Sequence, residues 1–388
     1  MKMKKITAII LLICAVALSF PTHIFALPGE EVEDAPSFEL DCASAVLMEA
    51  QSGKVLYQMN ADQALPPASV TKVMTLLLVM EAIDEGKISL NDTVVASAHA
   101  CSMGGSQIYL KEGEQMSVED LLKSVVIASA NDAAVALAEY VAGTEEAFVQ
   151  MMNKKAGELG LTSTHFENTN GLDDTVENHV SSAMDIAIMS RALLSHKKIT
   201  EYSSIWMDTI RNGEFGLTNT NRLVRFYKGA TGLKTGSTAK AKFCITATAE
   251  RDGMSLICVI MAAPTRDVRN AAASSLLDWG FSNYAVFKSK ASELGPLRVL
   301  GGVKNSCGIS ANEFCCVVKK NELSKVESVT ELSDNLAAPV KIGDKVGRTV
   351  YKIGDRVIGE SDVCASENID KIDFWGLLMR MLAKMSFC

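Results

Sequence analysis

The segment Leu65-Pro-Pro-Ala-Ser-Val-Thr-Lys-Val-Met-Thr-Leu-Leu-Leu-Val-Met80 places Ser69 and Lys72 at the start of an almost wholly apolar run. A proline pair precedes Ser69, and the residues around Lys72 predict a buried helix that begins here. Ser69 and Lys72 are three residues apart, so a helix places them on one face, one turn apart. A serine hydroxyl becomes a nucleophile when a base is within reach, and lysine is such a base when burial lowers its pKa. The segment therefore predicts a reactive pair at the start of a buried helix.

The Ser-x-x-Lys spacing is a weak signal by itself, because it also occurs at Ser195/Lys198 and Ser237/Lys240. A serine that caps a helix and a solvated lysine produce the same pattern. The interpretation of Ser69 therefore depends on the remainder of the chain.

Composition limits the class of protein. The chain has 388 residues, 48% of them hydrophobic, enough for two domains and a sizeable core. The formal net charge is −8 and no basic patch lies beyond the first residues, so we expect no nucleic acid partner. The sequence has no Cys-x-x-Cys and no histidine pair with metal spacing, so we expect no metal and no other cofactor.

The N-terminal end has the pattern of a targeting segment. Residues 1–26 contain three early lysines, an uncharged apolar run from Ile6 to Phe20 and a small final residue, Ala26, which predict a secretory signal peptide. We expect an exported protein with an acidic linker over residues 27–36. Of ten cysteines, Cys14 leaves with the signal peptide, and the odd number that remains favours buried, unpaired thiols over a disulfide framework.

Residues 367–388 predict an amphipathic C-terminal helix. Its polar residues Asp373, Gly376, Arg380 and Lys384 share one narrow stripe, and apolar side chains cover the rest. Such a helix is too short and too charged to span a bilayer and is typical of a peripheral anchor at a membrane surface. A helix docked on the protein's own core is the alternative.

The spacing of hydrophobic residues changes twice between the predicted signal peptide and the C-terminal helix. Short strand patterns come first, helical patterns fill the middle, strands return at about Leu233, and a helix ends near Gly280. This order predicts an α+β domain over residues 37–287, with an antiparallel sheet, flanking helices and an inserted helical subdomain. Short β runs between turns predict a small all-β domain over residues 288–366, which we interpret as a spacer or partner-binding module.

Two further motifs accompany the Ser69 pair: Ser129-Ala-Asn131 at a helix junction and Lys234-Thr-Gly236 on the first late strand. Ser-x-x-Lys, Ser-x-Asn and Lys-Thr-Gly in this order are the signature of penicillin-binding proteins and serine β-lactamases. Ser333-Asp-Asn335 is a chance match, because it follows Lys-Thr-Gly in the chain. The order and spacing make the combination strong although each motif is weak.

Acyl-transfer chemistry gives each of these residues an expected role. Ser69 attacks a peptide carbonyl, and Lys72 removes its proton. Ser129 relays that proton to the leaving amine, and the positive charge of Lys234 keeps Lys72 neutral. The remaining expected roles concern the substrate: Asn131 for an amide, Lys234 and Thr235 for a carboxylate, Gly236 for close approach of the strand to the ligand, and the backbone N–H groups of Ser69 and Ser237 for the oxyanion.

The chain resembles the low-molecular-mass penicillin-binding proteins that are D-alanyl-D-alanine carboxypeptidases, over nearly its whole mature length. The likeness rests on the three motifs and on these further stretches: Pro67–Thr75, Ser129–Ala133, Met152-Asn153, Thr164–Phe166 with Asn168 and Gly171-Leu172, Asn219–Leu223 and Gly232–Gly236. The resemblance implies an exported enzyme at the outer face of the cytoplasmic membrane. It would remove the terminal D-alanine from peptidoglycan stem pentapeptides through an acyl-Ser69 intermediate, and β-lactams would acylate the same serine as inhibitors.

Some positions depart from the family pattern. Ala241-Lys242 stands where Ala-Gly is common, and Ala262 stands where glycine is common. Some relatives bind the terminal carboxylate with an arginine at the position of Ser255, for which Arg251 is a candidate substitute. These departures concern substrate affinity more than the type of reaction.

Three other functions share features of this sequence. A serine β-lactamase uses the same acylation, and Glu167 lies near the place where one class has its deacylating glutamate. A non-catalytic wall-binding scaffold would have lost the nucleophile or the lysine, and both are present. A transpeptidase transfers the same acyl group to an amine instead of water.

Overall fold

The computed structural model describes residues 36–385. The predicted signal peptide, residues 27–35 and the last three residues of the predicted C-terminal helix lie outside the described part. The elements of the N-terminal part, up to the last strand of its central sheet, follow in this order: β1 (Ser44–Glu49), β2 (Val55–Met59), a 3₁₀ turn (Ala68–Thr71), α1 (Lys72–Asp84), β3 (Thr93–Val95), α2 (Ala98–Cys101), β4 (Gln115–Ser117), α3 (Val118–Ile127), α4 (Asn131–Ala142), α5 (Glu145–Glu158), α6 (Ala183–Leu194), α7 (Lys198–Ser203), β5 (Met207–Ile210), β6 (Phe215–Thr218), α8 (Leu223–Phe226), β7 (Ala230–Thr238), β8 (Lys242–Arg251) and β9 (Met254–Ala263).

The remaining elements form the C-terminal part. They are α9 (Arg266–Asn283), β10 (Tyr284–Ser289), β11 (Ser292–Leu300), β12 (Ser306–Ala311), β13 (Phe314–Lys319), β14 (Val326–Leu332), β15 (Leu336–Ala337), β16 (Lys345–Ile353), β17 (Arg356–Ala365) and α10 (Phe374–Met385).

The central sheet combines the two ends of the N-terminal part. Among the described residues, five antiparallel strands lie in the order β2-β1-β9-β8-β7. β8 and β9 are buried along most of their length, because α6 packs on one face of the sheet and α9 on the other. β7 is an edge strand and faces the turn that carries Ser69.

Helix α1 lies at the centre of the helical part. Every residue from Lys72 to Met80 is buried, and α1 packs against α3, α4, α5 and α6. A helix that is apolar on all sides has no face suited to water, so it becomes the core around which amphipathic helices assemble. Three of the neighbouring helices begin at side-chain caps; at the start of α3, for example, Ser117 Oγ accepts a hydrogen bond from Asp120 N–H.

The C-terminal part is a β domain. In the described chain, its larger sheet has six strands in the order β14-β16-β17-β12-β11-β15, and β10 pairs with β13. β10 begins at Tyr284, directly after α9, so strand pairing starts four residues ahead of the predicted boundary at residue 288. The buried core of the large sheet is small and consists of Val299, Cys307, Ile309, Ala311, Val340, Val346, Val363, Ala365 and Ile369.

All eight cysteines within residues 36–385 are unbridged. Cys244, Cys258 and Cys307 are buried and the others are half-buried, so fewer cysteines are buried than the sequence predicted. Burial raises the pKa of the Cys244 thiol to about 11.

A loop that ends near Leu172 packs against the turn ahead of α1. Gly171 has a φ of +84°, and a Cβ at this position would lie 1.8 Å from the Ala68 carbonyl oxygen. Glycine is required here for two reasons, the left-handed backbone and the direct contact with another backbone segment.

Substitution of Gly171 by alanine therefore tests how tightly the loop must contact the Ser69 turn. Gly160→Ala is the matched control, since Gly160 has a φ of +72° but nothing within 4 Å of the added Cβ. We expect Gly160→Ala to lower the free energy of unfolding by about 1–2 kcal/mol. Gly171→Ala should cost roughly 1–3 kcal/mol more, because the backbone must also move. Urea unfolding measures both, and equal losses would contradict the packing argument.

Candidate active site

The side chains of Ser69 and Lys72 meet as the sequence predicted. Ser69 lies in the 3₁₀ turn, Lys72 begins α1, and Lys72 Nζ is 2.9 Å from Ser69 Oγ. Lys72 Nζ also lies 2.6 Å from Asn131 Oδ1 and 2.8 Å from the Asn170 carbonyl oxygen. Asn131 Nδ2 donates to the Gly104 carbonyl, which fixes the orientation of the amide and leaves Oδ1 towards the lysine.

These contacts suit the neutral form of the Lys72 amine, which the electrostatics of the site favour. Asn131 Oδ1 and the Asn170 carbonyl can only accept, so each takes one N–H of Lys72. A neutral amine has two N–H groups and one lone pair, and the remaining direction points to the Ser69 hydroxyl. Neutral Lys72 is therefore positioned to accept the Ser69 proton, which is the geometry of a general base.

Electrostatics favour this neutral form. Lys72 is fully buried, and its pKa is well below the usual value, first because of burial and then because of the positive charge of Lys234. The Asp132 carboxylate opposes the shift. The predicted influence of Lys234 on Lys72 has a physical cause in the structure, but burial is the larger effect.

Lys234 is a second buried lysine, on β7. It is 1% exposed, and burial together with the positive charge of Arg269 lowers its pKa to about 7. Its Nζ donates to the Thr235 carbonyl oxygen at 3.0 Å. Lys234 therefore changes its charge near neutral pH, where a group that assists an acid–base reaction is most effective.

Ser129 lies at the junction between α3 and α4, two residues ahead of Asn131. It is 4% exposed and has a φ of +62°, an uncommon backbone conformation for a non-glycine residue. Its hydroxyl forms no hydrogen bond with any residue in 36–385, so the proton relay through Ser129 to the leaving amine stays a prediction. Left-handed residues cluster at functional sites, and Ala68, next to Ser69, is another with a φ of +48°.

β7 can approach the nucleophile closely because residue 236 is a glycine. A Cβ at Gly236 would lie 2.7 Å from Ser69 N and 2.8 Å from Val70 N. The close approach is therefore to the backbone of the Ser69 turn, whereas the sequence predicted close approach to the ligand. Thr235 is buried and donates its hydroxyl proton to Thr220 Oγ1, while Ser237 is exposed at the open end of the motif.

The predicted arginine substitute is not at this site. Lys234 pairs with Thr246 on β8, whereas Arg251 lies five residues farther along that strand, roughly 16 Å away at about 3.3 Å per residue. Arg251 binds Asp278 and the Lys228 carbonyl instead. Ser255 pairs with Glu250 at the same distant end of the sheet. The arginine near Lys234 is Arg269, from helix α9, and no sequence motif indicated it.

Other site residues were also missed. Asn170 contributes a backbone carbonyl, which leaves no side-chain signal in the sequence. Asp132 accepts hydrogen bonds from Ile108 N–H and Leu110 N–H and thereby holds the loop beside Asn131. Asp173 binds Thr238 Oγ1 and Lys240 Nζ, so the loop after Phe166 is joined to the end of β7. The position of Asp132 next to Ser-x-Asn was the available signal.

Comparison with known proteins identifies the family of the chain. A model of the D-alanyl-D-alanine carboxypeptidase family matches residues 30–265, and a model of the C-terminal domain of penicillin-binding protein 5 matches residues 281–371. The chain belongs to the D-alanyl-D-alanine carboxypeptidase family. The predicted family is therefore confirmed.

Full-length relatives support the assignment. The chain is 41% identical to the D-alanyl-D-alanine carboxypeptidase DacF of Bacillus subtilis strain 168, over 96% of each chain. It is 35% identical to DacC of Escherichia coli K12, over 90% of this chain and 89% of the relative.

Solved structures confirm the predicted α+β fold with its β domain. The structure resembles penicillin-binding protein 5 from Haemophilus influenzae, with a TM-score of 0.76, 32% identity, and coverage of 87% of this chain and all of that one. It also resembles penicillin-binding protein D2 from Listeria monocytogenes in the ampicillin-bound form, with a TM-score of 0.59, 32% identity, and coverage of 63% of this chain and all of that one.

Lys234→Met tests how far the burial of an ionisable lysine lowers the stability of the fold. In the folded state the pKa of Lys234 is about 7, against about 10.5 in the unfolded chain, so between these values the unfolded state binds more protons and stability rises with pH. Methionine does not bind a proton, so it removes the free-energy cost of burying a lysine that is charged in the unfolded chain. We expect Lys234→Met to raise the free energy of unfolding at pH 7 by about 2–4 kcal/mol, and the gain to shrink towards pH 10.

The control is Lys242→Met, since Lys242 is exposed on the neighbouring strand. Thermal unfolding of the three proteins at several pH values measures the difference. A gain that is the same at every pH, or no gain, would contradict the burial of a titrating lysine.

Proposed function

We propose that the protein is a serine-type D-Ala-D-Ala carboxypeptidase that removes the terminal D-alanine from peptidoglycan stem pentapeptides and is acylated by β-lactams. The observation that carries the proposal is the buried Lys72 amine, which lies 2.9 Å from Ser69 Oγ while Asn131 Oδ1 and the Asn170 carbonyl accept its other hydrogen bonds. Family membership supports the substrate class, and the motif residues supply the chemistry.

In the acylation step Ser69 Oγ transfers its proton to Lys72 Nζ and attacks the carbonyl carbon of the penultimate D-alanine. The N–H groups of Ser69 and Ser237 stabilise the negative oxygen that develops. The C–N bond then breaks, the amine takes a proton through Ser129, and free D-alanine leaves. The product is an ester on Ser69.

Water completes the cycle. Lys72, neutral again, removes a proton from water as the water oxygen attacks the ester carbonyl. The bond between the carbonyl carbon and Ser69 Oγ then breaks, Oγ takes the proton back from Lys72, and the shortened peptide leaves with a free carboxyl group. A β-lactam enters the same first step, since its ring carbonyl is the electrophile. Its leaving nitrogen remains attached to the acyl group.

Substrate contacts follow from the positions of the remaining residues. Lys234, Thr235 and Ser237 line the β7 side and suit the terminal carboxylate. Asn131 uses Oδ1 for Lys72 and one N–H for Gly104, so a second N–H is left for a substrate amide. Asn131 therefore orients the base as well as the substrate, a role that the sequence analysis did not assign.

The β-lactamase alternative lacks support from Glu167. Its carboxylate accepts the Asn178 N–H at 2.8 Å, and its contacts within the described residues do not include Ser69 or Lys72. The scaffold alternative lacks support because Ser69, Lys72 and Asn131 are present and in contact.

Release of D-alanine from a peptide ending in D-Ala-D-Ala tests the activity. The protein truncated after Asp373 is suitable, because residues up to Ile372 bind the β domain through Gly301 and Gly302. We expect release that falls roughly a millionfold in Ser69→Ala. Mass spectrometry should find a penicillin adduct on Ser69. Rapid, repeated β-lactam hydrolysis without D-alanine release would instead favour the β-lactamase.

We also propose that the C-terminal helix α10 attaches the protein to the outer face of the cytoplasmic membrane. Over the described residues, no helix is both long and apolar enough to span a bilayer. Arg380 donates to Asn305 Oδ1 at 2.8 Å and to the Val303 carbonyl at 2.7 Å, so its polar side faces the β domain. Large apolar side chains are exposed on the other sides: Phe374, Trp375, Leu377, Met379, Met381, Leu382 and Met385. This arrangement suits an interfacial anchor.

Substitution of the exposed aromatic residues tests the anchor. We expect Phe374→Ser/Trp375→Ser to reduce co-sedimentation with anionic phospholipid vesicles at least tenfold, because each buried aromatic contributes about 1.5–3 kcal/mol. Release of D-alanine from a soluble peptide should not change. Val357→Ser, at an exposed apolar position of the β domain, is the control. Equal vesicle binding by all three proteins would contradict anchoring by this helix.

A further inference from the structure

His179 is a buried side chain that the proposed reaction does not use. It is 4% exposed and lies in the loop ahead of α6. Its Nδ1 lies 3.0 Å from Glu167 N and its Nε2 lies 2.7 Å from Thr71 Oγ1. Thr71 Oγ1 also lies 2.8 Å from the Ala68 carbonyl oxygen. A continuous series of hydrogen bonds thus leads from the Glu167 loop to the residue before Ser69.

The chemistry of the partners gives this series one direction. The Glu167 N–H can only donate, so Nδ1 accepts and carries no proton. The Ala68 carbonyl can only accept, so it takes the one Thr71 hydroxyl proton. Thr71 Oγ1 must then accept from His179, and Nε2 carries the ring proton. Both ends of the series place a proton on Nε2, and the Glu167 N–H also excludes a second proton on Nδ1, so the ring is neutral.

The electrostatic surroundings agree with a neutral ring. Burial, with a smaller contribution from His165, lowers the pKa of His179 to about 4, and the carboxylates of Glu167 and Asp173 oppose the shift. The ring of Phe166 packs edge-on at 5.8 Å and restricts rotation. The ring therefore keeps its donor towards Thr71 across the pH range in which Lys234 titrates.

The last hydrogen bond in the series acts on the peptide group of Ser69. The Ala68 carbonyl and the Ser69 N–H belong to one planar trans peptide, so they point in opposite directions. A carbonyl held towards Thr71 fixes the N–H on the opposite side. This restraint is needed, since Ala68 has a left-handed φ of +48° that few non-glycine residues adopt. β7 lies close to this nitrogen, as the contact of Gly236 shows.

We propose that His179 is a positioning residue that, through Thr71, orients the Ala68–Ser69 peptide so that the Ser69 N–H points at the developing oxyanion. This inference rests on the proposed function, since it assigns a purpose to the oxyanion-hole N–H of that reaction. His179 does not contact the substrate. Its effect is on the transition state, because the oxyanion exists only there.

Two substitutions separate the contacts of His179. Asparagine retains an acceptor near the Nδ1 position for Glu167 and loses the donor to Thr71. Glutamine can place an amide N–H near the Nε2 position and retains the donor. We expect His179→Asn to lower the rate constant of Ser69 acylation by a fluorescent penicillin roughly 10- to 100-fold, since loss of a whole oxyanion donor costs about 10²–10³. His179→Gln should recover much of it.

Steady-state kinetics on a D-Ala-D-Ala peptide distinguish orientation of the oxyanion hole from loss of substrate binding. We expect kcat to fall with KM little changed, because the substrate carbonyl is not yet charged. His165→Asn is the matched control, since His165 is an exposed histidine of the neighbouring loop, and it should acylate at the unsubstituted rate. In the unsubstituted protein at pH 7, the ¹⁵N spectrum of His179 should show the Nε2–H form.

A double-mutant cycle with Thr71→Val gives the decisive comparison. Thr71→Val alone should slow acylation as much as His179→Asn, and the double variant should be no slower than Thr71→Val, because both break one series. The inference is overturned if the two losses multiply, if Thr71→Val and His179→Asn both acylate normally, or if His179 carries its proton on Nδ1. Absence of acylation in the unsubstituted protein would contradict the proposed function instead.

Discussion

The buried amino group of Lys72 is the constraint on which the rest of the structure depends. An ammonium ion in this position would lose its hydration and lie near a second cation, so the neutral amine is the stable form. A neutral amine needs two acceptors and one donor. The fold supplies them from Asn131, Asn170 and Ser69, which are 59, 98 and three residues away in the chain. Three separate segments must therefore meet at one nitrogen.

Backbone contacts bring these segments together. β7 approaches the Ser69 turn at Gly236, and the loop of Asn170 approaches the same turn at Gly171. In both places the neighbour of the glycine is a main-chain atom of the turn, so no side chain could be accommodated without movement. The same loop is joined to the end of β7 through Asp173 and Thr238. The turn that carries the nucleophile is thus enclosed on two sides, which limits its freedom and that of Ser69.

The sequence allowed prediction of the parts of the site that depend on local pattern. Ser69 and Lys72 face each other because of helix geometry, and the order of the three motifs gave the family and the α+β fold. Prediction failed where a contact joins distant segments, and most completely where the contact uses a backbone group, which every residue has. Asn170 acts through its backbone carbonyl, and Arg269 reaches Lys234 from a helix 35 residues later. Arg251 seemed suitable by sequence position, but strand register places it at the far end of β8.

The position of Glu167 affects how the ester formed from a peptide and the ester formed from a β-lactam are hydrolysed. Its carboxylate is occupied by the Asn178 N–H, and its main-chain N–H binds His179, so it supports the loop and leaves the ester of Ser69 alone. In the proposed mechanism Lys72 must then activate both Ser69 and the later water. This is possible after D-alanine leaves, because the departing amine vacates the space beside the ester. The nitrogen of an opened β-lactam stays attached to the acyl group and occupies that space. In the proposed mechanism the same arrangement suffices for a peptide, and we expect it to leave a β-lactam ester long-lived.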